Sequence, residues 1–139
     1  MSDPGKPVSS TFYDTIQAVP VIPVIVLQQV SDAIPVAEAL IEGGISIFEI
    51  TMRTEAALPA IEKIAVQFPD ALTGVGTVLN REQAQQAVDA GAQFIVSPGT
   101  DTATVEFAQA SGIPIVPGVS TVSEVQLARN LGLRILKFF

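Results

Sequence analysis

Three lysines occur in the chain, Lys6, Lys63 and Lys137, and only the last stands in a strongly apolar run, the RILKFF of residues 134–139. That run reads as a buried strand. Burial disfavours the ammonium ion, lowers the lysine pKa and so favours the neutral amine, which is the nucleophilic form. The plainer alternative is a strand-end lysine whose stem lies along apolar surface while its head reaches water. A carboxyl group stands in the same kind of setting: Glu49 lies within ISIFEI, residues 45–50. Counting five residues from Gly44, Gly112 and Gly132 reaches Glu49, Pro117 and Lys137, which therefore take equivalent places near the C-terminal ends of their strands. In parallel α/β folds that end carries the chemistry. Residues two apart share a strand face, so Glu49 and Lys137 are expected to point the same way. An amine and a carboxyl on apolar strands, converging on one end of a sheet, are hard to explain as packing. A buried structural ion pair is the alternative.

Further residues fall at the same ends: Arg53 in FEITMRTEAA, Thr77 in GVGTVLN, Pro98 in SPG and Pro117 in PGVST. The planar guanidinium of Arg53 matches a carboxylate in bidentate fashion, although a surface arginine beside Glu55 would look the same in sequence. Thr77 could equally be a helix-start hydroxyl. The chain has no histidine and no cysteine. That excludes histidine bases, zincin motifs, thiolate metal sites, cysteine nucleophiles and disulfides, and leaves proton transfer to carboxyl groups, lysine or Tyr13. A net charge of −7 argues against nonspecific nucleic-acid binding, which draws on basic patches. It leaves room for an anionic substrate held by one arginine or by backbone N–H groups. The glycines of Gly74-x-Gly76 and Gly43-Gly44 match neither a P-loop nor a dinucleotide fingerprint. No apolar run approaches the ~18–20 residues of a membrane span, and the N-terminus lacks a signal pattern. The expectation is a cytoplasmic protein with neither membrane nor nucleic acid as partner.

With 139 residues, 48% of them hydrophobic and 15% charged, the chain suffices for one domain with a substantial core. Residues 1–8, MSDPGKPV, read as a disordered polar tail and residues 9–139 as the folded domain. A short leading helix is expected over 10–18, with Phe12 and Ile16 four apart on one face. Residues 21–27 form a β-branched run typical of a strand buried on both faces, with Pro23 a local irregularity. From there helices and strands alternate. Strands are expected at 45–50, 71–76, 93–96, 113–116 and 134–139. Between them lie helices capped by Ser31, Thr54, Asn80 and either Ser120 or Thr121, and one over about 102–111. No hairpin dipeptide separates the strands, so the sheet must be parallel, with crossover helices. A glycine between helix and strand recurs in ALIEGGISIFEI, AVDAGAQFIVSPG, AQASGIPIVPG and ARNLGLRILKFF. It supplies the left-handed turn of ordinary αβ-loops and carries no function by itself.

Taken together, VIPVIV, FEITMRT, GVGTVLN, AGAQFIVSPG, IPIVPGVSTVSE and LKFF follow one another from about residue 12 to 139. In that order they resemble the bacterial 2-keto-3-deoxy-6-phosphogluconate (KDPG) aldolases, including the bifunctional 4-hydroxy-2-oxoglutarate (KHG) aldolases. The resemblance implies an α/β fold of the (βα)8 TIM-barrel type, a homotrimer at full length, and a Schiff-base (class I) aldolase that uses neither metal nor cofactor. It implies that Lys137 forms the imine with a small 2-oxo acid and that Glu49 is the general acid/base. Arg53 would hold the substrate carboxylate with help from Thr77. Phe139 and the backbone around Pro98 and Pro117 would line the pyruvate pocket. The reactions implied are reversible cleavage of KDPG to pyruvate and glyceraldehyde 3-phosphate, and of KHG to pyruvate and glyoxylate.

About six β-α units are present where the resemblance implies eight, so the expected architecture is an incomplete barrel. The units not represented include glycine-rich loops that in such barrels bind a phosphate. Six units cannot close an eight-stranded barrel, and strands one and six are expected to expose apolar edges. Two alternatives stay open. One is another Schiff-base lyase on a 2-oxo acid, of the 2-keto-3-deoxy-6-phosphogalactonate type. The other is a partial barrel that keeps the motifs without a working site.

Overall fold

A computed structural model describes residues 8–19 and 21–139. The elements run α1 (Val8–Ala18), β1 (Val24–Ile25), α2 (Ala33–Glu42), β2 (Ile47–Thr51), α3 (Ala57–Gln67), β3 (Leu72–Gly76), α4 (Arg81–Asp89), β4 (Phe94–Ser97), α5 (Thr102–Ala110), β5 (Ile115–Val119), α6 (Val122–Asn130) and β6 (Lys137–Phe138). All six strands are parallel and lie side by side in sequence order, the arrangement of a β-α barrel wall. The expected polar tail falls outside the described residues except for Val8, which opens α1.

Two apolar layers hold the sheet. Outside it, Phe48, Ile50, Val75, Ile95, Ile115 and Val119 meet the apolar faces of α2 to α6, with Ala60, Ile61, Ile64, Ala87, Ala108 and Ala128 facing inward. Small alanines let helices approach the strands closely. Inside the curl, Ile47, Leu72, Phe94 and Val96 form a second cluster. The two sets alternate along each strand, as the period of two requires. Phe12 of α1 plugs the inner cluster, 1% exposed, with its ring 4.9 Å from that of Phe94. Ile47, Leu72 and Phe94 all open their strands, so α1 floors the N-terminal end of the wall.

The helix starts are partly as the sequence predicts. Asn80 accepts a hydrogen bond from the Gln83 N–H at 2.9 Å, and Thr121 forms a full capping box with Glu124. The other two expected caps are not used. A 3-10 turn at Val30–Asp32 leads into α2, and the Ser31 hydroxyl lies 3.5 Å from the side-chain oxygens of Gln29 and Asp32. Thr54 donates instead to the Leu27 carbonyl at 2.6 Å, a tie from the β2–α3 loop back to the chain after β1. A long-range partner took the Thr54 hydroxyl away from the local role that the spacing suggests, whereas the Ser31 hydroxyl stays among its immediate neighbours.

The expected strand at 21–27, buried on both faces, shrinks to Val24–Ile25, and Val21, Val24 and Val26 are exposed at 55%, 51% and 41%. Composition reports what a strand could bury. It does not report whether a neighbour is present, and β1 has one only in β2. The last strand likewise contracts to Lys137–Phe138, with Phe138 and Phe139 exposed at 85% and 64%. Apolar edges of this kind template pairing with other chains. The 139-residue chain is therefore expected to self-associate, with Val24→Lys reducing the association. Analytical ultracentrifugation over a concentration series checks this, and a monomer throughout would contradict it.

Candidate active site

Glu49 and Lys137 line one cavity of ≈ 210 Å³ on the inner face of the sheet. Its other walls are the apolar side chains of Phe12, Ile16, Ile22, Val24, Phe94, Val96, Val116 and Ile135. The two groups are therefore the only ionisable ones among the lining residues, one brought by β2 and the other by β6. Glu49 is 3% exposed. Its N–H is bonded to the Pro23 carbonyl at 2.9 Å, which ties β2 to β1 at the level of the site.

The neighbours of these two residues are as telling as the residues themselves. Glu49 pairs with Gly74 across the β2–β3 ladder, and its carboxyl leans one pleat further, over Gly76. Gly74 leaves room for the Phe94 ring, since an added Cβ would meet ring atoms at 2.2 to 2.4 Å. Lys137 pairs with Gly118 of β5, where a Cβ would run into the Pro98 carbonyl oxygen at 2.0 Å. Side chains are thus withheld beside both chemical groups. The Lys137 Nζ lies 5.1 Å from the centre of the Phe139 ring, within cation–π range.

Arg53 and Thr77 meet above the cavity rather than in its wall: the Arg53 Nε–H donates to Thr77 Oγ1 at 3.3 Å. Thr77 leaves β3 with φ 59°, a left-handed conformation that β-branched residues rarely adopt. It is the one described non-glycine residue with positive φ. Pro98 borders a separate hollow of ≈ 300 Å³ with Val78, Leu79, Gly99, Thr100 and Asp101. Pro117 is buried but does not line the cavity; its neighbour Val116 does, and alternation turns Pro117 to the other face. The glycine spacing sets Pro117 level with Lys137, whereas the ladder sets Gly118 there, a one-residue offset between β5 and β6. The lining residues Phe12, Phe94 and Ile135, and the glycines Gly74 and Gly76, carry no chemical signature in sequence. A period of two in glycine along β3 is the one available signal.

Burial raises the Glu49 pKa above its ordinary 4.5, with the charges of Lys137 and then Arg53 pulling it back only in part. A carboxyl with a raised pKa can hold and release a proton nearer neutrality. The same shift acts on stability. The folded state holds this proton more tightly than the unfolded chain, so stability is lost as pH climbs from 4.5 through the raised value. Glu49→Gln removes that loss. The variant is expected to melt above the parent at about pH 8 and level with it at about pH 4, as thermal scans at both conditions would show.

The chain matches the family described as "Aldolase: KDPG and KHG aldolase" over residues 13–139. It is 47% identical over 120 residues to the KHG/KDPG aldolase of Escherichia coli K12, covering 86% of this chain and 56% of that protein. With the 2-dehydro-3-deoxy-phosphogluconate aldolase of Treponema pallidum it shares 46% over 129 residues, 93% of this chain and 61% of the relative. The KDPG aldolase of Legionella pneumophila, solved with pyruvate captured at low pH as a covalent carbinolamine intermediate, superposes with a TM-score of 0.84. There the identity is 46% and the coverage 86% of this chain and 58% of that one. The chain thus spans between half and two thirds of the length of these relatives. It belongs to the KDPG and KHG aldolase family.

Proposed function

We propose that this site carries out class I aldol chemistry on a 2-oxo acid, with Lys137 as the amine and Glu49 as the proton carrier. The observation that carries the reading is the shared cavity of these two residues, an amine and a buried carboxyl in otherwise apolar walls. The capture of pyruvate as a carbinolamine in the related Legionella pneumophila enzyme supports it.

The steps follow from the groups present. The Lys137 nitrogen lone pair attacks the substrate ketone to give a carbinolamine. Glu49 in its acid form protonates the departing hydroxyl, and water leaves as the imine forms. The protonated imine then draws in the electrons of the adjacent carbon–carbon bond as the distal hydroxyl loses its proton to the Glu49 carboxylate. An aldehyde departs and an enamine remains on Lys137. Glu49 returns the proton to carbon, and hydrolysis of the imine releases pyruvate. The apolar walls keep water from competing for that proton. Arg53 holds the substrate carboxylate and Thr77 steadies the guanidinium through the bond between them. Phe139, whose ring lies beside the Lys137 amine, forms the mouth.

KDPG and KHG are the substrates this reading favours, giving pyruvate with glyceraldehyde 3-phosphate or glyoxylate. The homotrimeric assembly and the cytoplasmic setting expected from the family belong to the same reading. Among the described residues no helix is long and apolar enough to cross a membrane.

Borohydride reduction in the presence of pyruvate tests the reading directly. A reduced pyruvyl adduct mapped to Lys137 by peptide mass, and lost in Lys137→Ala, is the expected result; a folded chain without adduct would overturn the assignment. In turnover, Glu49→Gln is expected to lower kcat by roughly 10²–10⁴-fold, the usual worth of a positioned general acid/base. Arg53→Lys, which loses the bidentate fork, is expected to act mainly on KM.

A further inference from the structure

Position 76 is where the described structure leaves the least room for change beside the carboxyl. A Cβ built on Gly76 would stand 1.8 Å from Glu49 Oε1, 2.5 Å from Cδ and 2.6 Å from Cγ. The whole end of the side chain thus rests on the bare α-carbon of the neighbouring strand. Gly76 is not among the glycines of positive φ, so its backbone would accept alanine without strain and the obstruction is steric alone. A crowded side chain can often swing aside at little cost. Here swinging aside would carry the carboxyl off β3 into the ≈ 210 Å³ cavity that it shares with Lys137, and so change its place relative to the amine.

We propose that Gly76 is a positioning residue that seats the Glu49 carboxyl against β3 and so fixes its height relative to Lys137. Three observations carry this beyond the close approach itself. Gly76 pairs with Thr51, one pleat beyond the Glu49–Gly74 pair, so the carboxyl reaches towards the C-terminal end of the wall, where Lys137 stands. Gly74, the preceding inward position of β3, is likewise filled by a neighbour, the Phe94 ring. Gly76 also adjoins Thr77, which accepts from Arg53, so the carboxyl seat and the guanidinium anchor are consecutive residues. One strand end thereby sets the relative places of the proton carrier and the carboxylate-binding group. The catalytic half of this inference rests on the Schiff-base reading; the seating of Glu49 does not.

The test has two arms, each in the full chain. The first is a stability cycle of Gly76→Ala, Glu49→Ala and the double variant, read by urea unfolding. Gly76→Ala is expected to lower the unfolding midpoint when Glu49 is present and to leave it almost unchanged in the Glu49→Ala background. Should Gly76→Ala fail to fold while the double variant folds, the seat is likewise supported. An equal loss in both backgrounds, or failure of both to fold, overturns it, because the obstruction then does not involve Glu49. This arm decides the seating even if the parent forms no adduct with pyruvate, a result that would count against the Schiff-base reading only.

The second arm separates Lys137 from Glu49. Deuterium exchange into the pyruvate methyl group needs the imine and then transfer of a methyl proton to the carboxylate, the C–H electrons forming the enamine double bond. Gly76→Ala is expected to retain the borohydride-trapped adduct on Lys137 while slowing exchange by on the order of 10²-fold, the cost of a small misplacement of a reacting group. Exchange at the parental rate, or exchange and trapping lost in step, overturns the positioning role.

Discussion

Burying a carboxyl group in an apolar cavity is the demand around which the inner face of this sheet is arranged. An isolated carboxylate in such surroundings is strongly disfavoured, and the protein meets the cost in two ways. It lets the Glu49 pKa rise, and it sets the charges of Lys137 and Arg53 close enough to oppose the rise without cancelling it. The result is a carboxyl whose pKa stays above its ordinary value, in a chain that has no histidine for proton transfer. The Phe12–Phe94 contact belongs to this arrangement, because α1 closes the end of the wall through which water would otherwise reach the carboxyl. A helix that touches no reacting atom thus helps to set the electrostatics of the site.

The scaffold achieves this with economical means. Crossover helices rich in alanine pack the outer face, and inward-facing positions near the site carry glycine. Gly74, Gly76 and Gly118 give up side-chain packing, and neighbouring groups fill the space: a phenyl ring, a carboxyl and a backbone carbonyl. Thr77 adds a departure from ordinary backbone geometry at the point where β3 ends. Strain of that kind persists where the surroundings hold it in place, and here its hydroxyl receives the Arg53 N–H.

Much of this was legible in the sequence, for identifiable reasons. Lys137 and Glu49 stand out because charged residues in apolar runs are improbable on packing grounds, and their spacing from Gly132 and Gly44 places both near the ends of parallel strands. Asn80 was legible as a cap, and Thr121 as one of two candidates with Ser120, because capping is a local interaction. What was not legible depends on partners distant in sequence. Thr54 looks like a cap until the Leu27 carbonyl is brought beside it. Pro117 looks level with Lys137 until the β5–β6 ladder shows the offset of one residue. The roles of Gly74 and Gly76 depend on which side chains lean across from β2 and β4, and the period of two along β3 marks their shared face without naming what fills it. The run at 21–27 has the composition of a strand buried on both faces, and it was the count of six units, not the composition, that set it at an exposed edge.

The strand order has one consequence for the site as a whole. Glu49 sits on β2 and Lys137 on β6, four strand steps apart. In a flat sheet with ordinary strand spacing their backbones would lie about 19 Å from each other, far beyond the reach of an amine and a carboxyl acting on one small molecule. Their presence in a single cavity is therefore a property of curvature, supplied by every strand between them and by the helices that bend it. Substitutions on the outer face that flatten the wall would draw the two groups apart without touching either. The site is in this sense a gauge of how tightly the sheet is rolled.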